Sequence, residues 1–321
     1  MDFNHDKLLT LVSRSFALCI PRLPKKVRKE VGNFYLLCRY ADSIEDSDLS
    51  KSHKKKAFGK FAKVVKSIDL HLLNELNKEI LEFVISENDK KMIKEFGKVI
   101  GEYSSFDKKS RKIALKWLKE MMKGMQKYSK KEIQDFLDLD NYCYYVAGTV
   151  GHYLTNIFDH KFDLNVSEEF EEKGKQFGLL LQKVNVIRDF SKDYVEGRIF
   201  WPKKLFEKYG VTSTEIFKPE NEEIRKKILK EMIDNALTNL KSAIEYIEKL
   251  PVELTGVRMF CAIPLGMAVP TLMKCSDNSE VFDPQKKVKI SRTETAKILN
   301  GLNKSINSNE FLTKKPFVAS I

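Results

Sequence analysis

Residues 177–193 read FGLLLQKVNVIRDFSKD. Phe177, Leu180, Leu181, Val184 and Ile187 recur at steps of three and four, the period of a helix with one apolar face. Another stripe of the same helix collects Gly178, Gln182, Asn185, Asp189 and Asp193. A helix facing water ordinarily uses lysine and glutamate there. This one uses two amides and two aspartates with Arg188 beside them, a set suited to ordered recognition of a metal and a phosphate.

A second stretch repeats the pattern. Val31, Phe34, Cys38, Ala41 and Ile44 form an apolar strip, while Tyr35, Arg39, Asp42 and Asp46 line a polar one. Two like charges four apart cost an isolated helix only about 0.2–0.5 kcal/mol, so either D-x-x-x-D pair alone is a weak signal. Two pairs, each backed by polar side chains, are far less ordinary. Facing each other across a bundle, they would hold two or three Mg²⁺ ions, which take oxygen ligands and are commonly shared with substrate phosphates. The matching substrate is a diphosphate, with Arg14, Arg39, Arg188 and Arg198 available to neutralise it.

Helical spacing continues along the chain, and strong period-two alternation is absent. Helices are expected near 5–18, 25–47, 51–66, 69–86, 90–104, 108–128, 130–158, 167–195, 221–249, 252–275 and 292–305. Ser129 with Glu132 fits a capping box, and Ser167 suits a helix start. Only 14 glycines and 9 prolines occur in 321 residues, which argues for long helices. Neither G-x-G-x-x-G nor G-x-x-x-x-G-K-[ST] is present, which argues against a Rossmann or P-loop nucleotide site. With no repeat and no low-complexity linker, the reading is one all-α domain over 1–321.

The composition is 42% hydrophobic, enough for a sizeable core. Five dispersed cysteines, Cys19, Cys38, Cys143, Cys261 and Cys275, read as reduced, mostly buried thiols of a cytoplasmic protein. The N-terminus shows no secretory pattern. The apolar run Met259 to Met273 is short for a bilayer span and contains Pro264 and Pro270, so a buried core helix is expected. Net charge is +12 with pI about 9.2. Nucleic acid, an anionic membrane surface and an anionic small substrate are the competing partners. The excess is mostly lysine, scattered through helical patterns, and reads as a solvated surface. No zinc-finger, RRM or KH signature supports nucleic-acid binding.

Residues 142–151 have another character, with small residues at Ala147, Gly148 and Gly151, and Tyr142, Tyr145 and Thr149 sharing a face. They read first as a tightly packed core helix and second as the wall of an apolar channel with hydroxyls at its metal end. Residues 260–270 allow the same two readings, and proline inside a helix implies a kink.

Six blocks then occur in one order: Ser13–Ala17, Asp42–Asp46, Tyr142–Gly148, Leu181–Asp189, Gly197–Pro202 and Phe260–Pro264. Together they resemble the squalene and phytoene synthase family over nearly the whole chain, and the last two lean towards its squalene synthase branch. The resemblance implies an all-α isoprenoid-synthase bundle around a central cavity. It implies head-to-head condensation of two farnesyl diphosphates through presqualene diphosphate, then reduction by NADPH to squalene. Asp42, Asp46, Asp189 and Asp193 match the Mg²⁺ ligands and Tyr142 the tyrosine near the reacting carbons. Ser15, Arg14, Tyr35, Arg39, Gln182, Arg188 and Arg198 match the diphosphate site, and Asn185, Lys289 and Arg292 the nucleotide site.

Departures from the family pattern are Ser291, where a basic residue is common, and Lys192, where an acid is. No long apolar stretch follows Thr293, so a soluble or peripheral cytoplasmic enzyme is expected, its lysine-rich surface favouring anionic lipid; a monomer is expected as well. Two other readings stay open: dehydrosqualene or phytoene synthase without the reductive step, and a non-catalytic scaffold, which would be expected to lose motif aspartates.

Overall fold

The computed structural model describes residues 5–13, 16–129 and 131–313; for His5 and Asp6 it describes the backbone alone. Among the described residues there are helices and turns but no strand, as the periodicity requires. The chain forms two compact units: Met1–Lys130 with His152–Val166, and Lys131–Gly151 with Ser167–Ile321.

Seven helices precede the first crossing between units: α1 (His5–Val12), α2 (Phe16–Cys19), α3 (Lys25–Glu45), α4 (Lys51–Ser67), α5 (Leu70–Ile80), α6 (Glu87–Ser104) and α7 (Lys108–Tyr128). In the first unit α3 is central, packing on α1, α4, α6 and α7. Its apolar strip is buried as expected, and Tyr40 adds an aromatic cluster with Phe61 and Phe96 at 4.4 and 4.3 Å between centroids. The helix opens on Lys25, Lys26 and Arg28 and closes on Asp42, Glu45 and Asp46, so its charges oppose the macrodipole at both ends. Each misplaced terminal charge costs about 0.3–1 kcal/mol. Tertiary packing holds α3 together, and its acidic end is left calling for a cation.

The remaining helices are α8 (Phe136–Cys143), α9 (Thr149–Phe162), α10 (Glu168–Arg188), α11 (Phe190–Val195), α12 (Lys203–Lys208), α13 (Glu222–Leu237), α14 (Leu240–Lys249), α15 (Thr255–Cys275) and α16 (Arg292–Ser305). In the second unit α10 is the hub, touching α8, α13, α14 and α15. α9 crosses between the units, and its later part completes the first: Tyr153 stacks on Phe34 at 3.5 Å and donates to the Glu30 carbonyl at 2.9 Å.

Several expected boundaries move. The helix expected over 130–158 is three pieces: residues 131–134 are not helical, α8 starts at the Asp135 cap, and a π-helical turn over Tyr144–Gly148 separates α8 from α9. Ser129 ends α7 and caps no start, so the capping box expected there is absent. Ser167 does cap α10, accepting from the Phe170 amide at 3.2 Å. The capping box is at Ser291 and Glu294, opening α16. All five cysteines are free and buried. α15 alone among the described residues is long and apolar enough to cross a membrane, and most of it is buried in the protein.

The small residues of 147–151 serve close packing. A Cβ on Gly151 would stand 2.0 Å from the Gly174 carbonyl oxygen, and one on Gly178 would stand 2.2 Å from that of Ala147. Gly178 therefore belongs to the contact between α10 and the π turn, and not to an open polar stripe. Thr149 is buried, with its hydroxyl donated to the Tyr145 carbonyl at 2.8 Å.

Candidate active site

The first acidic pair closes α3. The Asp46 amide donates to the Asp42 carbonyl at 2.8 Å, so the four-residue spacing survives at the helix end. Asp42 keeps 34% of its side chain open, yet dense protein surrounds it. Burial pushes its carboxyl up to about 7; Arg39 opposes the shift, and the Asp46 and Asp89 charges add to it. Arg39 is only partly available, because its fork closes on Asp89: Nε to Oδ1 at 2.9 Å and Nη2 to Oδ2 at 2.6 Å. Its Nη1 stands 3.9 Å from Asp42. Burial works against the Arg39 charge, but the Asp89 hydrogen bonds and both carboxylates raise its pKa overall. Tyr35, one turn back, donates to the Val12 carbonyl at 3.3 Å and packs on Phe16 at 5.2 Å. Its pKa is raised, chiefly by burial.

Asp89 carries no sequence signal, being 50 residues from its partner. It sits in the first turn of α6, after the Ser86 cap, where helix amides favour a carboxylate. Arg14 and Ser15 lie outside the described residues.

The second pair spans a joint. Asp189 ends α10 at φ −98°, ψ 12° and α11 follows, but the Asp193 amide still donates to the Asp189 carbonyl at 2.9 Å. The two carboxyls are driven apart. Burial lifts Asp193 to about 6, with Asp189 adding to the shift and Arg198 opposing it. Burial acts on Asp189 too, but hydrogen bonding from the Arg188 fork and the charge of Lys287, at 3.3 Å, more than offset it, so that carboxyl is lowered. Arg198 reaches Asp193 at 3.5 Å and pairs with Glu196. Gly197 supplies the left-handed residue (φ 73°) that turns the chain back, so the Arg198 amide donates to the Asp193 carbonyl at 2.8 Å.

Beyond Arg198 the chain is pinned by Trp201, 1% exposed, whose indole donates to the Val186 carbonyl at 3.0 Å. Between them Phe200 stacks on Tyr142, centroids 4.5 Å apart, and lies 6.0 Å from the Arg198 guanidinium. Tyr142 is thus tied to Asp193 through two side chains of the Gly197–Pro202 block. Lys287 and Phe200 were not among the residues singled out from the sequence. Phe200 lay inside a recognised block, and the apolar run beside Tyr142 was the signal that could have found it.

Of the remaining sequence candidates, Asn185 is exposed and donates to Gln182 at a weak 3.4 Å, while Lys289 and Arg292 are exposed near the start of α16. Ser291 lies between those two cations and is spent on the capping box. Lys183, next to Gln182, is an internal group, 1% exposed, bound to Asp140 at 2.6 Å and Asn239 at 2.9 Å.

The donor set suits a hard divalent cation. Each pair offers carboxylate oxygens and includes one carboxyl whose pKa burial has raised, a penalty that a bound cation relieves. Among the described residues no three His, Cys, Asp or Glu side chains form a ready-made cage.

Each unit thus carries a helical aspartate pair with an arginine beside it, and the buried Tyr142 is tied to the second pair. The chain belongs to the squalene/phytoene synthase family, whose pattern matches residues 9–294, and is by class a prenyltransferase. It is 33% identical over 295 residues to squalene synthase of Rattus norvegicus, covering 90% of this chain and 67% of that protein. Against squalene synthase of Schizosaccharomyces pombe it is 32% identical over 302 residues, covering 91% of this chain and 63% of that protein. It superposes on TcSQS in complex with the ligand BPH1237 with a TM-score of 0.81 at 29% identity, over 93% of this chain and 85% of that one.

Proposed function

We propose that the protein is a squalene synthase: it condenses two farnesyl diphosphates head to head through presqualene diphosphate and reduces the product with NADPH to squalene. The observation that carries the proposal is the pair of carboxyls lifted by burial, Asp42 and Asp193, each within a D-x-x-x-D pair. In this reading Asp42, Asp46, Asp189 and Asp193 hold Mg²⁺. Bound there, the metal supplies positive charge where negative charge builds on a departing diphosphate.

The chain's own groups do the rest. Arg188 and Arg198 exchange part of their carboxylate contacts for diphosphate oxygens, and Tyr35 and Gln182 donate or orient at the same ends. Arg39, with its fork closed on Asp89, acts chiefly by fixing the edge of Asp42. Tyr142, held flat by Phe200, carries a proton near the reacting carbons. Apolar side chains around it keep water from the cationic stages. Asn185, Lys289 and Arg292 hold NADPH, the hydride source, and the two cations suit a nucleotide phosphate.

One observation favours a second reading, in which reduction is missing and dehydrosqualene is released. Ser291 is committed to the helix cap and puts an uncharged residue between Lys289 and Arg292, the two cations assigned to the nucleotide. The deciding experiment incubates purified protein with farnesyl diphosphate and Mg²⁺, with and without NADPH, and identifies the hydrocarbons by mass. Squalene formed only with NADPH supports the proposal. Dehydrosqualene in both tubes selects the second reading. No product with wild type overturns the farnesyl diphosphate assignment, and full activity in Asp189→Asn overturns the metal assignment.

A further inference from the structure

The positive charge of the chain is concentrated on two neighbouring helices. α4 carries seven lysines and no acid, while α7 carries seven lysines, Arg111 and a single acid, Glu120. Their joint excess is 14, against 12 for the whole chain, so the remainder is slightly acidic. What reads as scattered lysine in the sequence is gathered in the fold, because α4 and α7 pack on each other and both rest on α3. Their faces turned from α3 therefore adjoin.

On α7, Lys108, Lys112, Lys116, Lys119, Lys123 and Lys127 follow at steps of three and four, making one straight stripe. At ~1.5 Å per residue it is about 30 Å long. Every fully exposed residue of α7 is a lysine. On α4, Lys55, Lys56, Lys63 and Lys66 are exposed in the same manner. Within this surface Lys60 pairs with Glu79, and Lys123 with Glu120 at 3.4 Å.

We propose that the outer faces of α4 and α7 form a docking surface for an anionic phospholipid bilayer. The choice of side chain carries the argument. Lysines are point charges on flexible stems, suited to a fluid array of headgroup phosphates, whereas fixed phosphate or base recognition favours the planar fork of arginine. Base readers and single-strand platforms also bring amides or aromatic rings to the surface, and the fully exposed positions of α7 have none. Leu70, opening α5 just past α4, leaves 46% of its surface in water, an apolar contact beside the charges. The proposal stands whichever reaction the acidic pairs serve.

The test is cosedimentation of the full chain with vesicles of phosphatidylcholine alone or with about 30% phosphatidylserine, at about 0.1 and 0.5 M NaCl. Binding to the anionic vesicles only, and its loss at high salt, is expected. Replacing Lys63, Lys112, Lys116 and Lys119 together by Gln should weaken binding at least tenfold, while Arg at the same four positions should retain it. Removing equal charge elsewhere, at Lys227, Lys241, Lys297 and Lys304, should change it less than twofold. Equal binding to neutral vesicles, an equal loss from the second set, or tighter binding to duplex DNA at matched phosphate and salt would each overturn the proposal.

Discussion

The ring of Tyr142 lies on the ring of Phe200, centroids 4.5 Å apart and planes 17° from parallel. Phe200 also borders Arg198, which reaches Asp193. Replacing Phe200 by Ala leaves Tyr142 without the surface that orients it. Turnover should fall between about tenfold and a hundredfold, the scale of small misplacements at reacting centres. KM should move little, circular dichroism should be unchanged, and Phe200→Tyr should restore most activity. An unaltered kcat in the Ala variant refutes the positioning role.

Asp193→Asn separates stability from function. The carboxyl is disfavoured as an anion where it sits, so the metal-free variant should melt no lower than wild type. Turnover should drop at least about a thousandfold if this oxygen serves the metal, as transition-state charge stabilisation of that size is typical. The thermal shift produced by Mg²⁺ should shrink with it. A large drop in the metal-free melting temperature would show that the carboxylate is structural.

The raised carboxyls set a pH dependence. Asp42 is lifted to about 7 and Asp193 to about 6. Between the ordinary carboxylate range and these values the folded chain binds more protons than the unfolded one, so the two groups make metal-free stability decline as pH rises from about 4 to 7. Cation binding requires the deprotonated forms. The stabilisation by Mg²⁺ in a melting assay should therefore be larger at pH 8 than at pH 6, and a pH-independent shift would count against both sites.

Glycine positions give opposite expectations. Gly178→Ala drives a Cβ to 2.2 Å from the Ala147 carbonyl oxygen, and backbone on both sides must move. Destabilisation above about 3 kcal/mol is expected, the upper range for overpacking. Gly59, exposed on α4 with nothing within 4 Å of its would-be Cβ, should gain about 0.5–1 kcal/mol on change to Ala. Urea denaturation of both variants checks the pair.

Arg258 is fully buried, and among the described residues its hydrogen bonds go to carbonyl oxygens and one amide rather than to a carboxylate. Its guanidinium donates to the carbonyls of Ile247, Leu250, Ile306 and Ser308 and to Asn309 Oδ1, over 2.7–3.0 Å. A lysine has too few donors and no fork. Arg258→Lys should cost about 3–5 kcal/mol, as breaking a buried charge network does. Retained wild-type stability in denaturation would show that the network is dispensable.

The fold class and both aspartate pairs were legible because helical period and i, i+4 spacing are local properties of a chain. Breaks within a helix were not legible. The π turn at Tyr144–Gly148 and the joint at Asp189 keep helical residue preferences, and only tertiary packing selects the altered turn. Partners distant in sequence were equally hidden. Asp89 holds Arg39 and Asp140 holds Lys183, yet nothing near either acid in the sequence points to the other residue. The surface charge was visible as a number, but its gathering depended on α4 lying beside α7.

The crossing of the chain between its units bears on how it is made. Residues 1–130 leave the ribosome before residues 131–166, so the first unit lacks Tyr153, which stacks on Phe34, until α9 has emerged. Residues 131–151 meanwhile belong to a unit whose hub, α10, is not yet synthesised. Neither unit can finish as an independent nascent domain before the other's segment appears. Synthesis from end to end thus holds an unsealed apolar surface open across mid-chain, an interval in which chaperones have the most to shield.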